Sequence, residues 1–278
     1  MARVTSHTPP DMAGSAQRQS RVPPPASALV AHGISVSFPS SVGELMVLDD
    51  VSIEVHTGEF VALIGPSGCG KSTLFNVIAG LQKPRFGTVA IEGEDVTGKL
   101  GHAAYMLQKD LLLPWKSVLD NTYLGLEMRG VSRKKARREA ASWFQRFGLK
   151  GFEGEYPSAL SGGMRQRAAL LRTFLTGRSI LLLDEPFGAL DALTRAQMQG
   201  WLLDIWSGSS KSVLLVTHDI DEAIYLADRV YVMSRRPGSI RQSEDVPLPR
   251  PRRYQEVVTS PDFAALKRTI LQLLAGDA

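Results

Sequence analysis

One short stretch of the chain carries the residue types of a phosphate-binding site. Residues 65–72 read GPSGCGKS, which matches the pattern G-x-x-x-x-G-K-[ST] at every position. They follow a short apolar run, residues 60–64, that is typical of a buried strand, and a helical spacing of apolar residues begins at Thr73. Glycines allow successive backbone N–H groups to point at one anion, and the N-terminus of the following helix adds positive partial charge. The stretch therefore predicts a site for the phosphates of a nucleotide.

Two side chains of this stretch have specific roles in the motif. Lys71 would reach the β- and γ-phosphates of ATP, and the hydroxyl of Ser72 would ligate Mg²⁺. The alternative is an ordinary glycine-rich turn with an exposed lysine, but the complete match and the flanking pattern favour a phosphate loop. The predicted nucleotide contacts here are Gly65, Pro66, Ser67, Gly68, Cys69, Gly70, Lys71, Ser72 and Thr73.

A pair of carboxylates follows a second apolar run. Residues 180–183 are apolar, and Asp184 and Glu185 come directly after them. Because ligands gather at the carboxyl ends of parallel strands, Asp184 would hold magnesium, directly or through water. Glu185 would point elsewhere and could polarise an attacking water molecule. An acidic turn after a strand is common by itself, but together with the phosphate loop it predicts nucleoside triphosphate hydrolysis.

The remaining pattern predicts the elements that must position these residues. Apolar stretches that read as strands alternate with stretches of helical spacing, which indicates a mainly parallel sheet covered on both faces. The predicted strands are residues 34–38, 48–55, 60–64, 88–91, 105–107, 180–183 and 213–216, with a turn at 39–44. The predicted helices include residues 118–129, 134–147, 165–176 and 263–274.

A further motif carries a resemblance to a known family. Residues 160–167 read LSGGMRQR, which resembles the signature motif of ATP-binding cassette (ABC) ATPases. Ser161, Gly162 and Gly163 at a helix N-terminus would form a second anion cradle. The family usually has Gln where this chain has Met164, and we interpret the difference as the mark of an importer subgroup. The resemblance implies an α/β fold: a P-loop NTPase (RecA-like) core, an antiparallel β subdomain and an inserted helical subdomain.

The resemblance also implies roles for four residues outside these motifs. Phe38 matches the aromatic residue that stacks on adenine, although a strand phenylalanine buried in the core is the alternative. Gln108 matches the glutamine that senses magnesium, Asp191 lies in a loop that crosses a dimer interface, and His218 matches the histidine that contacts the γ-phosphate. The implied catalytic set is Glu185, His218, Lys71 and Gln108, and the implied metal ligands are Ser72, Gln108 and Asp184.

Narrower features resemble the importer ATPases for nitrate, sulfonate and taurine, a group in which thiamine-precursor uptake also occurs. These features include residues 113–115 (LPW), 204–206 (DIW), 218–223 (HDIDEA) and 236–238 (RPG). The implied partners are a second copy of the chain, integral-membrane permease subunits and, indirectly, an extracytoplasmic solute-binding protein. Residues 111–115 would contact the permease, unless they pack inside the helical subdomain instead.

Composition is consistent with a peripheral subunit on the cytoplasmic face of the inner membrane. The 278 residues carry a net charge of +4 and one cysteine, Cys69, so no internal disulfide can form and nucleic acid is not a predicted partner. Neither a signal peptide nor a membrane span is predicted. We expect a disordered extension at residues 1–28, an ATPase domain at 29–239 with its helical subdomain at about 109–175, and a C-terminal linker and helix at 240–278.

Two other classes of protein share parts of this pattern. A cassette ATPase that acts on DNA or ribosomes usually has two cassettes or a long coiled-coil insertion, and the sequence predicts neither. A regulatory module without turnover would be expected to lack Glu185 or His218, and both are present. The sequence therefore favours an ATPase that energises transport.

Overall fold

The structure, a computed structural model, describes residues 26–41 and 43–276. The predicted disordered extension lies outside the described residues up to position 25. Residues 27 and 28, which the sequence assigned to that extension, already belong to the first strand.

A six-stranded sheet forms the centre of the molecule. Its strands are β3 (Phe60–Ile64), β6 (Ala104–Met106), β7 (Ile180–Asp184), β8 (Ser212–Val216), β9 (Arg229–Met233) and β10 (Ile240–Asp245). Their order is β10-β9-β3-β8-β7-β6, and all neighbours are parallel except β10, which pairs antiparallel with β9. Every residue of β3, β7 and β8 is buried, as continuous apolar runs require when both faces of a sheet are covered. The predicted mainly parallel sheet is confirmed.

A four-stranded antiparallel sheet packs beside the first sheet. Its strands are β1 (Ser27–Ser40), β2 (Gly43–His56), β4 (Phe86–Ile91) and β5 (Glu94–Asp95), in the order β2-β1-β4-β5. The first two strands continue through most of the predicted turn at 39–44, where Pro39 pairs with Glu44. Side chains at this end of the hairpin are exposed, so strand pairing continues without the alternation of burial that reveals a strand in sequence.

Helices cover the central sheet and form a separate helical segment. They are α1 (Lys71–Ile78), α2 (Val118–Thr122), α3 (Leu124–Met128), α4 (Arg133–Trp143), α5 (Gly162–Phe174), α6 (Ala192–Ser207), α7 (Ile220–Leu226), α8 (Tyr254–Val258) and α9 (Pro261–Ala275), with a 3₁₀ turn at Pro157–Ala159. The predicted helix at 118–129 is divided at Tyr123, whose ring is buried and whose backbone leaves the helical region. The helix predicted at 134–147 ends at Trp143.

Alternate residues of each central strand face two different apolar clusters. In β3, for example, Phe60, Ala62 and Ile64 belong to one cluster and Val61 and Leu63 to the other. Because β3, β7 and β8 run parallel, the segments that follow them leave the sheet at the same edge. Within the described part of the chain, no helix is both long enough and apolar enough to span a bilayer.

Candidate active site

The loop between β3 and α1 is shaped as an anion cradle. Gly68 and Gly70 adopt φ values of 76° and 113°, in the left-handed region that favours glycine because it has no Cβ. No side chain caps the N-terminus of α1, and its first turn contains no acidic residue. The unpaired N–H groups and the positive end of the helix dipole are therefore available to an anion.

Lys71 is buried beneath this loop, with only 7% of its surface exposed. Its Nζ donates hydrogen bonds to the carbonyl oxygens of Gly65 (2.7 Å) and Pro66 (3.0 Å) and lies 3.8 Å from the Sγ of Cys69. All three of these partners of the ammonium are uncharged groups of the loop itself. The loop thus holds a positive charge on neutral partners and leaves that charge for a phosphate group.

A cavity of about 260 Å³ opens above the loop, and it is lined by residues from four parts of the chain. Its lining residues are Val47, Ser67, Gly68, Gly70, Lys71, Ser72, Thr73, Glu185 and Arg236. The cavity brings Glu185 to the phosphate loop, as we expected from the ends of neighbouring parallel strands.

Asp184 ends strand β7 and is buried beside the loop. Its Oδ2 accepts a hydrogen bond from the Tyr105 hydroxyl at 3.2 Å, and Ser72 is among the groups that influence its pKa. Burial raises the pKa of Asp184, and the charge of Glu185 adds to this effect, while the hydrogen bonds and the charge of Lys71 oppose it. A cation beside Asp184 would favour its ionised form.

This donor set fits magnesium. Mg²⁺ takes oxygen ligands and is usually held in nucleotide sites by one or two protein groups together with phosphates. Ser72 lines the cavity above the loop, and it is close enough to Asp184 to oppose the rise in the pKa of that carboxyl. Among residues 26–41 and 43–276, no three His, Cys, Asp or Glu side chains are grouped so that they could hold a metal ion by themselves.

Glu185 is held between two of the predicted catalytic residues. Its Oε2 accepts a hydrogen bond from Nε2 of Gln108 at 2.9 Å, and its Oε1 lies 3.3 Å from Nδ1 of His218. The carboxylate is about one-fifth exposed, so it faces the solvent that fills the cavity. This arrangement orients one carboxylate beside the phosphate-loop cavity, whose lining includes Glu185.

The backbone of Glu185 adopts an unusual conformation. Its φ is +45°, which costs a residue with a Cβ about 1–3 kcal/mol and is most frequent at functional sites. Its N–H donates to the carbonyl oxygen of Val216 on the neighbouring strand at 2.9 Å. That bond fixes the turn after β7 and thereby the direction of the carboxylate.

The signature motif lies at a separate position. Ser161 is the N-cap of α5, where its Oγ accepts from the N–H of Met164 at 3.3 Å. Ser161 and Gly162 are exposed, and the residues lining the phosphate-loop cavity do not include them or Gly163. The structure therefore brings together Lys71, Ser72, Gln108, Asp184, Glu185 and His218. Within one copy of the chain, the signature residues do not lie beside this group.

Phe38 and Asp191 also lie outside the cavity lining. Phe38 is 38% exposed near the end of β1, which disagrees with the alternative of a core residue. Asp191 is the N-cap of α6, where its Oδ1 accepts from the N–H of Thr194 at 3.0 Å and hydrogen bonding there lowers the pKa of the carboxyl. Both side chains remain accessible to a ligand or a second chain.

Sequence reasoning missed two contributors to the site. Arg236 donates from Nε and Nη2 to the carbonyl oxygen of Gly68, at 3.2 and 2.9 Å, and so supports the loop from the segment after β9. The only signal was its place in the Arg-Pro-Gly feature, which we used for the subgroup alone. Tyr105 was assigned to a strand, and nothing in its local sequence indicates its bond to Asp184.

Comparison with known proteins shows the family to which the chain belongs. Residues 48–188 match the family described as "ABC transporter". The chain is 46% identical to the formylaminopyrimidine import ATP-binding protein ThiZ of Halalkalibacterium halodurans, over 84% of this chain and 91% of that protein. It is 40% identical to the aliphatic sulfonates import ATP-binding protein SsuB of Bacillus cereus (86% and 92% covered). Identity to the nitrate import ATP-binding protein NrtD of a Synechocystis species is also 40% (86% and 92% covered).

Solved structures show the same fold. The dimeric structure of MJ0796, described as a bacterial ABC transporter cassette, superimposes with a TM-score of 0.70 at 28% identity, covering 78% of this chain and 98% of that one. A dimeric post-hydrolysis state of MJ0796 bound to ADP and Pi superimposes with a TM-score of 0.69 and the same coverage.

Proposed function

Because this chain belongs to the ABC transporter family and is an ATPase, we propose that it is the ATP-hydrolysing subunit of an importer for a small solute. The named relatives import a formylaminopyrimidine, aliphatic sulfonates and nitrate. A solute of the nitrate, sulfonate or taurine type is our first choice, and a thiamine-precursor pyrimidine is the alternative. The solute would be delivered by an extracytoplasmic binding protein and would not contact this chain.

The position of Glu185 is the observation that carries the proposal. Its carboxylate lines the phosphate-loop cavity between Gln108 and His218. Glu185 would polarise a water molecule aligned on the γ-phosphate, and His218 would hold that water and the phosphate in line. Lys71 and the uncapped N–H groups of α1 would stabilise the charge that develops on the phosphate oxygens. A module that only senses nucleotide would not need a carboxylate held in this way.

Magnesium would complete the site. When bound, Mg²⁺ would supply positive charge that neutralises the charge developing during phosphoryl transfer. Ser72, Gln108 and Asp184 are the residues that would hold it. The amide nitrogen of Gln108 already donates to Glu185, so its carbonyl oxygen is the atom free to face a cation, and the side chain would link the metal site to the catalytic carboxylate.

We propose that a second copy of the chain supplies Ser161, Gly162 and Gly163 to each nucleotide. These residues are exposed or half-exposed and lie outside the cavity of their own copy. The solved relative is a dimer in both of its described structures. In this arrangement Phe38 would stack on adenine, and Asp191 would lie at the interface. Closure of the dimer would exclude water, and hydrolysis would release the closed state.

The segment 111–115 is the proposed contact with a permease. Leu111 and Trp115 are 52% and 72% exposed, whereas Leu112 between them is buried. One side of the segment therefore anchors it to the helical region, and the other presents large apolar side chains to solvent, as interaction sites do. This contact would keep the subunit at the cytoplasmic face of the inner membrane, with no role for nucleic acid.

A pull-down from detergent-solubilised membranes tests this function. The tagged chain should recover an integral-membrane protein, and Trp115→Ala should lose it, because an exposed indole at an interface centre contributes about 2 kcal/mol or more. Met128→Ala is the matched control, since Met128 is an even more exposed apolar residue of the same helical segment.

The pull-down has two informative failures. Recovery of ribosomal or DNA-bound proteins alone would overturn the transport function while leaving the ATPase chemistry intact. Retention of the membrane protein by Trp115→Ala would place the permease contact elsewhere. If recovery succeeds, uptake of labelled nitrate, taurine and pyrimidine by cells lacking the gene would then identify the solute.

A further inference from the structure

We propose that the C-terminal segment, residues 246–276, positions His218 by holding helix α7 at both of its ends, with Arg252 and Lys267 as the positioning residues. The inference rests on the proposed role of His218 in hydrolysis. It assigns a task to a part of the chain whose sequence indicated only a linker and a helix.

Helix α7 begins directly after His218. Asp219 is its N-cap, and the Oδ1 of Asp219 accepts hydrogen bonds from the N–H groups of Asp221 (2.9 Å) and Glu222 (3.1 Å). The cap leaves no flexible residue between the histidine and the helix. A shift of α7 would therefore move the imidazole relative to Glu185, which lies 3.3 Å from it.

Arg252 holds the C-terminal end of α7. The residue is only 7% exposed, and its Nη1 donates to the carbonyl oxygens of Ile224 (3.1 Å), Tyr225 (2.9 Å) and Ala227 (2.7 Å). These are carbonyls of the last turn of α7, which the helix cannot satisfy itself, and a cation is the favourable charge at that end of the dipole.

The other donors of Arg252 bind its own segment. Its Nε and Nη2 donate to the carbonyl oxygen of Leu248 at 3.3 and 3.1 Å, and Nη2 also donates to that of Val246 at 3.3 Å. One planar guanidinium thus joins the C-terminal segment to α7. Loss of this guanidinium would leave several buried carbonyl groups without a hydrogen-bond donor. Such unpaired groups lower the free energy of unfolding because they are shielded from water.

Two neighbouring residues reinforce this end. Arg250 donates from Nη2 to the carbonyl oxygen of Leu226 (2.7 Å), and its guanidinium lies 4.5 Å from the ring centre of Trp206. The ring of Tyr254 packs edge-on against Tyr225, with 5.1 Å between ring centres. The C-terminal end of α7 is therefore fixed by side chains from the Pro- and Arg-rich stretch that follows β10.

Lys267 holds the N-terminal end of α7. Its Nζ lies 2.7 Å from Oδ1 and 2.8 Å from Oδ2 of Asp221, in the first turn of the helix and three residues after His218. Lys267 is carried by α9, which is seated on the core by the buried side chains of Phe263 and Ile270. The ion pair is about two-fifths exposed, so its effect is modest, but it acts at the end of α7 nearest the catalytic residues.

The Lys267–Asp221 pair provides the test because it is exposed enough to change without unfolding the chain. Lys267→Asp should lower kcat for ATP hydrolysis about fivefold, the upper range for an exposed pair, and leave KM for ATP unchanged, because the phosphate loop is untouched. The double variant with Asp221→Lys should restore most of the lost kcat. Arg268→Asp is the matched control, since Arg268 is the exposed neighbour on the same helix, and it should have wild-type kcat.

Testing Lys267→Asp in a variant that lacks His218 distinguishes a positioning role of Lys267 from a general effect on packing. In His218→Ala, the Lys267→Asp change should have no further effect on kcat, because the group that it misplaces is gone. An unchanged kcat in Lys267→Asp, a drop that the charge exchange does not restore, or an equal drop in the His218→Ala background would each overturn the inference. Wild-type turnover in His218→Ala alone would overturn the proposed role of His218, and the inference with it. Arg252→Lys should also lower kcat, and thermal unfolding of this variant is followed in parallel to detect any loss of stability.

Discussion

Glu185 illustrates how much of the chemistry depends on one side chain. Glu185 follows strand β7 at the edge of the sheet, and its backbone has a left-handed conformation that directs the side chain into the cavity. Gln108 and His218 orient the two oxygens of its carboxylate. Because neighbours from two separate segments orient the carboxylate, we expect its proposed role to depend on its charge and basicity and not on its packing alone.

Glu185→Gln should lower kcat for ATP hydrolysis by about a hundredfold or more, the usual contribution of a general base. Glutamine has nearly the same shape and can still accept a hydrogen bond from Gln108, so ATP affinity should be retained. Phosphate release and nucleotide titration measure the two quantities separately. Wild-type turnover by this variant would remove Glu185 from the mechanism.

Lys71→Ala should reduce both ATP affinity and turnover. The ammonium is the buried positive charge of the phosphate loop, and charge-assisted hydrogen bonds of this kind contribute about 1.5–3 kcal/mol, or roughly tenfold to a hundredfold in affinity. Lys99→Ala, at an exposed lysine bonded to the carbonyl oxygen of Asp95, is the control and should bind ATP normally. Normal affinity in Lys71→Ala would contradict the assignment of the loop.

At the scale of elements, α7 contains a buried carboxyl group that makes the stability of the fold depend on pH. Burial, with a further contribution from the charge of Asp219, raises the pKa of Glu222 from 4.5 to about 8. Folded Glu222 therefore keeps a proton that the unfolded chain releases between these two pH values. Its contribution to the free energy of unfolding is greatest below the lower value and falls as pH rises through this window.

Glu222→Gln should remove that decline. Relative to wild type, the variant should gain more than about 1 kcal/mol in free energy of unfolding between about pH 5 and about pH 8. Urea denaturation at both pH values measures the difference, and comparison with wild type cancels the titration of all other groups. A difference between the two proteins that is the same at both pH values would show that Glu222 is ionised in the folded chain.

Some elements of the fold can be predicted from the sequence, and others cannot. Strands β3, β7 and β8 were predictable because they are continuous apolar runs buried on both faces of the sheet. Strand β10 was assigned to a linker, since four of its six residues are exposed and the sequence IRQSED shows no apolar alternation. Its position depends on pairing with β9. That pairing is a contact between two elements, so the local sequence preference of β10 does not reveal it.

The same distinction applies to the site. The phosphate loop and the acidic pair are contiguous motifs, so their residues could be named from sequence. The contacts made by Arg236 and Tyr105 join segments that are far apart in the chain, and only the fold brings them to the loop. The links between α7 and the C-terminal segment were hidden for the same reason, because an arginine that caps a helix from a distance has no local signature.

At the scale of the whole molecule, the central claim is that each ATP is bound by two copies. One copy presents the phosphate loop with the acidic pair and His218, and it presents its signature residues elsewhere on its surface. A symmetric dimer would bring these two half-sites together twice. Hydrolysis would then require association, and its rate per chain would rise with protein concentration.

Complementation between two inactive variants tests this claim most directly. Lys71→Ala removes the phosphate-loop charge, and Gly162→Asp places a carboxylate in the signature cradle. A Cβ at Gly162 would meet no atom nearer than 3.9 Å, so the second variant should fold. Each variant alone should be inactive, because both sites of its dimer are damaged. A mixed dimer has one site with an intact loop and an intact signature motif.

The measurement is phosphate release by an equal mixture of the two variants. If the sites act independently, random pairing predicts a recovery of about a quarter of wild-type turnover, since half of the dimers are mixed and each has one intact site. Recovery that rises with protein concentration would confirm the shared site. A mixture as inactive as its two components, with mixed dimers demonstrated to form, would contradict a site built from two chains.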